Sequence, residues 1–126
     1  ACSGTGSAGV VTSLLSASYT KTSATSDLIV ECLVPFWGDA SGAVDVGLYD
    51  GTTFFTGIWQ YHPRDDMRFS NTVANFGTLS AASHTIYWGY KSSVASAPAS
   101  YANPNSSDEG RLTQQHTTFV FSEVEA

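Results

Sequence analysis

The chain has 126 residues, a formal net charge of −6 at neutral pH, 42% hydrophobic residues and only 13% charged ones. One domain is expected from this length, and an apolar share of this size excludes wholesale disorder. The five Lys and Arg do not cluster, which speaks against nucleic-acid binding, and neither a polybasic amphipathic stretch nor an apolar run of ~18 residues points to a membrane.

Residues 1–9 are Gly/Ser-rich and read as a flexible leader, leaving 10–126 as a single domain. Val10 to Thr25 is rich in Ser and Thr with scattered apolar residues, text that suits edge strands or an extended arm. The clearest strand runs from Leu28 to Trp37. Leu28, Val30, Cys32, Val34 and Phe36 alternate with Ile29, Glu31, Leu33, Pro35 and Trp37, so one face is apolar and the other half apolar. Residues 38–42 form a turn. Val44, Val46 and Leu48 then alternate with Asp45, Gly47 and Tyr49 as a half-buried strand. Asp50-Gly51 is the strongest hairpin signal in the chain, with a return strand over Thr52 to Trp59.

His62 to Arg68 is the most charged window, and Pro63 within it argues for a loop. Phe69 to Leu79 fits one more strand. His84 to Lys91 is expected to be a strand with Ile86, Trp88 and Tyr90 facing inward. Residues 92–111 read as a long polar loop, a length usually associated with function or an interface. The last strand, Thr117 to Val124, is apolar on both faces through Phe119/Phe121 and Val120/Val124. Such a strand belongs in the middle of a sheet or against a neighbouring subunit. No helix of ten or more residues fits anywhere. The expectation is an all-β fold, an antiparallel β-sandwich of jelly-roll type with about 7–8 strands.

Few residues announce chemistry. His62, His84 and His116 show no short metal-ligand spacing, and Asp39, Asp45, Asp50, Asp65, Asp66, Asp108 and Glu109 form no calcium-loop pattern. They read as turn residues and solubilising charges, so no metal and no cofactor are expected. Asp65 and Asp66 could be combined with Glu31 or Glu123 as a glycosidase pair, but neighbouring residues in one loop point apart. No Gly-x-Ser-x-Gly elbow is present, and the expectation is that the chain is not an enzyme. Cys2 and Cys32 are too few for a disulfide framework, and Cys32 reads as a small core residue.

The aromatics stand out, because they outnumber what one inward face needs. They suit a large core, an oligomer interface, or a platform for a sugar ring. Ile29, Leu33, Trp37, Phe119 and Phe121 are the candidate interface residues, and Trp59, Tyr61 and Tyr101 the candidate ligand-binding residues.

The order of several short pieces is familiar: Ser18-Tyr19-Thr20-Lys21-Thr22-Ser23 leading into Ser26-Asp27-Leu28-Ile29-Val30, the Leu48-Tyr49-Asp50-Gly51 hairpin, and Gly77-Thr78-Leu79 running on to Ser83-His84-Thr85-Ile86-Tyr87-Trp88. Tyr101-Ala102-Asn103 and a final strand ending Ser122-Glu123-Val124-Glu125 complete them. Together they resemble the small jelly-roll domains of bacteriophage tail fibres, head fibres and capsid decorations, which look like the trimeric jelly roll of tumour necrosis factor and complement globular heads. The resemblance implies a non-enzymatic structural protein of the virion surface. It would self-associate, as a homotrimer, contact other virion proteins, and carry a host-surface glycan as a further partner. The alternative is a carbohydrate-binding or lectin-like module of a secreted protein. Neither nucleic acid nor membrane is expected as a partner.

Overall fold

A computed structural model describes residues 2–5, 11–38, 42–62, 66–92, 99–102 and 117–126. Among them are nine strands: β1 (Cys2–Thr5), β2 (Val11–Thr20), β3 (Ser26–Gly38), β4 (Gly42–Tyr49), β5 (Phe54–His62), β6 (Asp66–Thr78), β7 (Ser83–Ser92), β8 (Ala99–Ala102) and β9 (Thr118–Glu125). No helix occurs among the described residues.

All pairings are antiparallel and build two sheets. One has the order β1-β8-β3-β6 with β9 also on β3, and the other has the order β2-β7-β4-β5. The chain changes sheet between successive strands except at the β4–β5 hairpin and between β8 and β9, so that the two sheets form a β-sandwich. Because β8 pairs with Phe36–Gly38 and β9 with Ser26–Leu33, these two lie end to end along one edge of β3. They fill the place of one last strand, interrupted in sequence between Ala102 and Thr118. The break falls opposite Val34 and Pro35, where β3 carries the residue with no amide hydrogen to give.

Alternation explains the core. Leu28, Val30, Cys32 and Val34 of β3 are fully buried, and so are Val46 and Leu48 of β4 and Ile86 and Trp88 of β7. Ala74, Phe76 and Tyr90 join them, with Leu15, Tyr19, Phe55, Leu79, Phe119 and Phe121 packed around. Each fully buried aliphatic side chain of this kind contributes roughly 1.5–3 kcal/mol. Aromatic pairs close both open sides of the sandwich. Tyr19 of β2 stacks on Phe121 of β9 at 5.1 Å, and Phe55 of β5 meets the edge of Phe76 of β6 at 4.6 Å.

The structure differs from the expectations in four places. Cys2–Thr5, expected within a flexible leader, pairs with β8, because backbone pairing does not depend on an anchoring side chain. Ala99–Ala102, expected within a loop, is β8 itself. In the charged window His62 ends β5 and Asp66–Arg68 begin β6, where they pair with Phe36–Gly38. β6 is an edge strand, and edges tolerate charge. Finally, β9 is not in the middle of a sheet, since among the described residues it pairs with β3 alone.

Candidate functional site

The feature that calls for explanation is the outer face of β6-β3-β9. Register places Val73, Glu31 and Val120 in one row across it, and Asn71, Leu33 and Thr118 in the next. Asn75, Ile29 and Ser122 form a third row. Five large apolar side chains are exposed among the described residues, and all lie on these three strands: Leu33 at 37%, Phe69 at 48%, Val73 at 63%, Val120 at 47% and Val124 at 44%. Single exposed aliphatics are ordinary, but a cluster on one sheet face marks a surface that something covers. Glu31 is the exposed charge within the cluster, and Asn71, Asn75, Thr118 and Ser122 give it a polar frame.

Of the expected interface residues, Ile29 and Leu33 are on this face. Phe119 and Phe121 are not. They sit opposite Cys32 and Val30, share the inward face of β3, and pack against the core at half burial. Period-two alternation separates the Phe pair from the Val pair without saying which pair faces in; the register with β3 decides it. Val120 and Val124 therefore take the outward positions, joined by Phe69 and Val73 of β6. The side chain of Trp37 lies outside the described residues, although its backbone in β3 pairs with Met67 and Tyr101. The side chains of Trp59, Tyr61 and Tyr101 likewise lie outside the described residues.

β6 shows why this face was hard to read. Phe69, Asn71, Val73 and Asn75 alternate with Ser70, Thr72, Ala74 and Phe76, so both faces mix polar and apolar residues. The inward Ser70 and Thr72 are buried; their hydroxyls lie 3.3 Å apart, and the indole N–H of Trp88 donates to Ser70 Oγ at 3.4 Å. A buried indole N–H finds a partner there, which holds the polar residues inside and turns Phe69 and Val73 outward.

Two carboxylates pin the end of the sandwich beside this face. Glu123 of β9 accepts from the backbone N–H and the hydroxyl of Thr22, the latter at 2.5 Å, and from the backbone N–H of Ser23 at 3.4 Å. Those hydrogen bonds, that of the Thr22 hydroxyl foremost, hold its carboxyl below the usual range. Asp27 of β3 accepts from Asn75 Nδ2 and Thr78 Oγ1, both at 3.0 Å, with the same effect on its carboxyl. Between them Lys21 is buried. Its ammonium group donates to the carbonyls of Ser23 and Leu79, and its backbone N–H donates to Ala82. Cys32 is a free, buried thiol whose pKa is pushed up to about 12 by burial.

No protein-family model, curated protein or solved structure matches this chain. Among the described residues no group of three His, Cys, Asp or Glu side chains is placed to hold a metal ion, and no helix is long and apolar enough to cross a membrane. The arrangement on the outer face is suited to contact. It offers apolar area and hydrogen-bonding groups.

Proposed function

We propose that this domain is a non-enzymatic structural module of a virion surface, a capsid decoration or a fibre or spike domain, that assembles into a homotrimer through the outer face of β6-β3-β9. The observation that carries the reading is the confinement of Leu33, Phe69, Val73, Val120 and Val124 to that face. A second copy of the chain fits it as occupant. The surface is apolar around the Glu31 carboxylate, with a frame of amides and hydroxyls, so most of it offers the chemistry that an identical surface can meet, and the low charge content of the chain does little to keep copies apart. Threefold closure is taken from the resemblance to trimeric jelly-roll domains, with which the order of the two sheets is compatible; cyclic symmetry permits it.

Light scattering at micromolar concentration tests the proposal. The wild-type protein is expected at three times the 13.3 kDa chain mass, and Val120→Asp at the mass of one chain with an unchanged circular dichroism spectrum. A wild-type monomer would overturn it, and so would a Val120→Asp protein that still assembles.

A further inference from the structure

On the opposite side of the sandwich, where β4 stops short of β7, we infer a binding site for one neutral sugar residue. The last pair between these strands is Tyr49 with Tyr87. Beyond it β4 turns away at Asp50, while β7 extends back through Ile86, Thr85 and His84 to Ser83. Among the described residues the edge of β7 toward β4 is unpaired over that stretch. The result is a half-open cavity of about 280 Å³ between the β4–β5 turn and the β6–β7 connection. Its walls include Asp50, Leu79, Ser83, His84, Thr85 and Tyr87.

The polar groups are held in place before any ligand arrives. Asp50 Oδ1 accepts the backbone N–H groups of Thr52 and Thr53 at 2.8 and 2.7 Å, and Gly51, at φ 98°, makes the turn that allows it. The carboxylate is thereby fixed while Oδ2 has no partner among the described residues. His84 Nε2 lies 2.8 Å from the Ser80 carbonyl; a carbonyl only accepts, so the ring donates there and a neutral ring leaves Nδ1 as an acceptor. The Thr85 hydroxyl shares a hydrogen bond with Ser18 across to β2 at 2.9 Å. Tyr87 and Leu79 supply the apolar part of the wall.

This combination selects the ligand class. A pyranose presents hydroxyls that donate and accept, together with C–H surfaces that rest on an aromatic or aliphatic wall. Among the described residues the lining carries no Lys or Arg, which disfavours an anion, and its one carboxylate is too few for a bound divalent cation. The volume lies just below the roughly 300–1,000 Å³ typical of drug-sized ligands, as suits a single ring. The unpaired edge spans only Ser83 to Ile86, short for an added peptide strand. The cavity also lies away from the apolar outer face of β6-β3-β9, so covering that face leaves it open. The inference does not rest on assembly.

The test follows the amide spectrum of the ¹⁵N-labelled full chain with the methyl glycosides of glucose, galactose, mannose and N-acetylglucosamine, up to about 50 mM, beyond the millimolar range in which a small ligand is weakly held. At least one glycoside is expected to shift the amides of Gly51, Ser83, Thr85 and Tyr87. Asp50→Asn, which keeps the turn acceptor but removes the charge, and Thr85→Val are each expected to weaken that binding about tenfold without changing spectral dispersion. Val120→Asp should leave it intact, so the fate of the assembly reading is decided separately. No shift with any of the four, shifts that map elsewhere, or binding indifferent to both Asp50→Asn and Thr85→Val would overturn the inference.

Discussion

At the scale of single residues, two side chains carry consequences that experiments can read. Cys32 is buried between Val30 and Val34 and its thiol is pushed up to about 12, so at pH 8 the thiolate that reacts is almost absent. Native protein is expected to leave Cys32 unlabelled by iodoacetamide over hours, with labelling on unfolding; mass spectrometry of the digested peptide would show the difference. Glu123 joins β9 to the β2–β3 connection through Thr22 and Ser23, and its carboxyl is held low in the folded protein. A lowered folded value means that the unfolded chain takes up the proton first as acid is added. The contribution is therefore complete above the ordinary glutamate range and is lost as the pH falls through the lowered folded value. Asp27 acts in the same direction. Glu123→Gln should lower the melting temperature at pH 7 and flatten its fall between about pH 5 and pH 2. A variant melting curve parallel to wild type across that range would contradict this account.

At the scale of elements, β3 and β7 were legible down to their faces, β6 and β9 as strands but not in which face points inward, and β8 not at all. Leu28, Val30, Cys32 and Val34 against Ile29, Glu31 and Leu33 give β3 an unequal pair of faces, and Ile86, Trp88 and Tyr90 do the same for β7. The Asp50-Gly51 signal gives the β4–β5 turn for a physical reason, since Gly51 occupies the left-handed region there. β6 has no such asymmetry, and the hydrogen bond from the Trp88 indole to Ser70 is a tertiary fact that no alternation pattern encodes. β8 is four residues long and exists through its pairings with β1 and β3. β9 has two apolar faces, so only its register with β3 shows that Phe119 and Phe121 point inward and Val120 and Val124 outward. The legible elements supply the firmest energetic expectation. Leu48→Ala and Ile86→Ala remove fully buried side chains and should each cost about 2–5 kcal/mol in urea unfolding. A loss below about 0.5 kcal/mol at both positions, far under that range, would mean that the inner faces of β4 and β7 are misassigned.

At the scale of the whole molecule, the two sheets present unlike outer surfaces. That of β6-β3-β9 is apolar around the exposed Glu31, with Asp27 beside Val124 at its end, whereas the edge of β2-β7-β4-β5 beside Asp50 is polar and indented. If copies meet through the apolar surface, Glu31 of each is drawn toward the others, and like charges brought together oppose association. Glu31→Gln should then shift the equilibrium toward the oligomer by at least about threefold in a dilution series followed by sedimentation. An unchanged or weakened association would place the contact elsewhere.

The divided last strand gives the molecule a natural grafting point. Each half is registered on β3 by its own set of partners, Phe36–Gly38 for β8 and Ser26–Leu33 for β9, so neither relies on the other for its position. A foreign peptide spliced between Ala102 and Thr118 would leave both ladders in register. Doubling the length of that connection costs only about 0.6 kcal/mol in closure entropy, a small fraction of what one core leucine secures. The fold can thus take a longer connection between β8 and β9 without renegotiating either ladder.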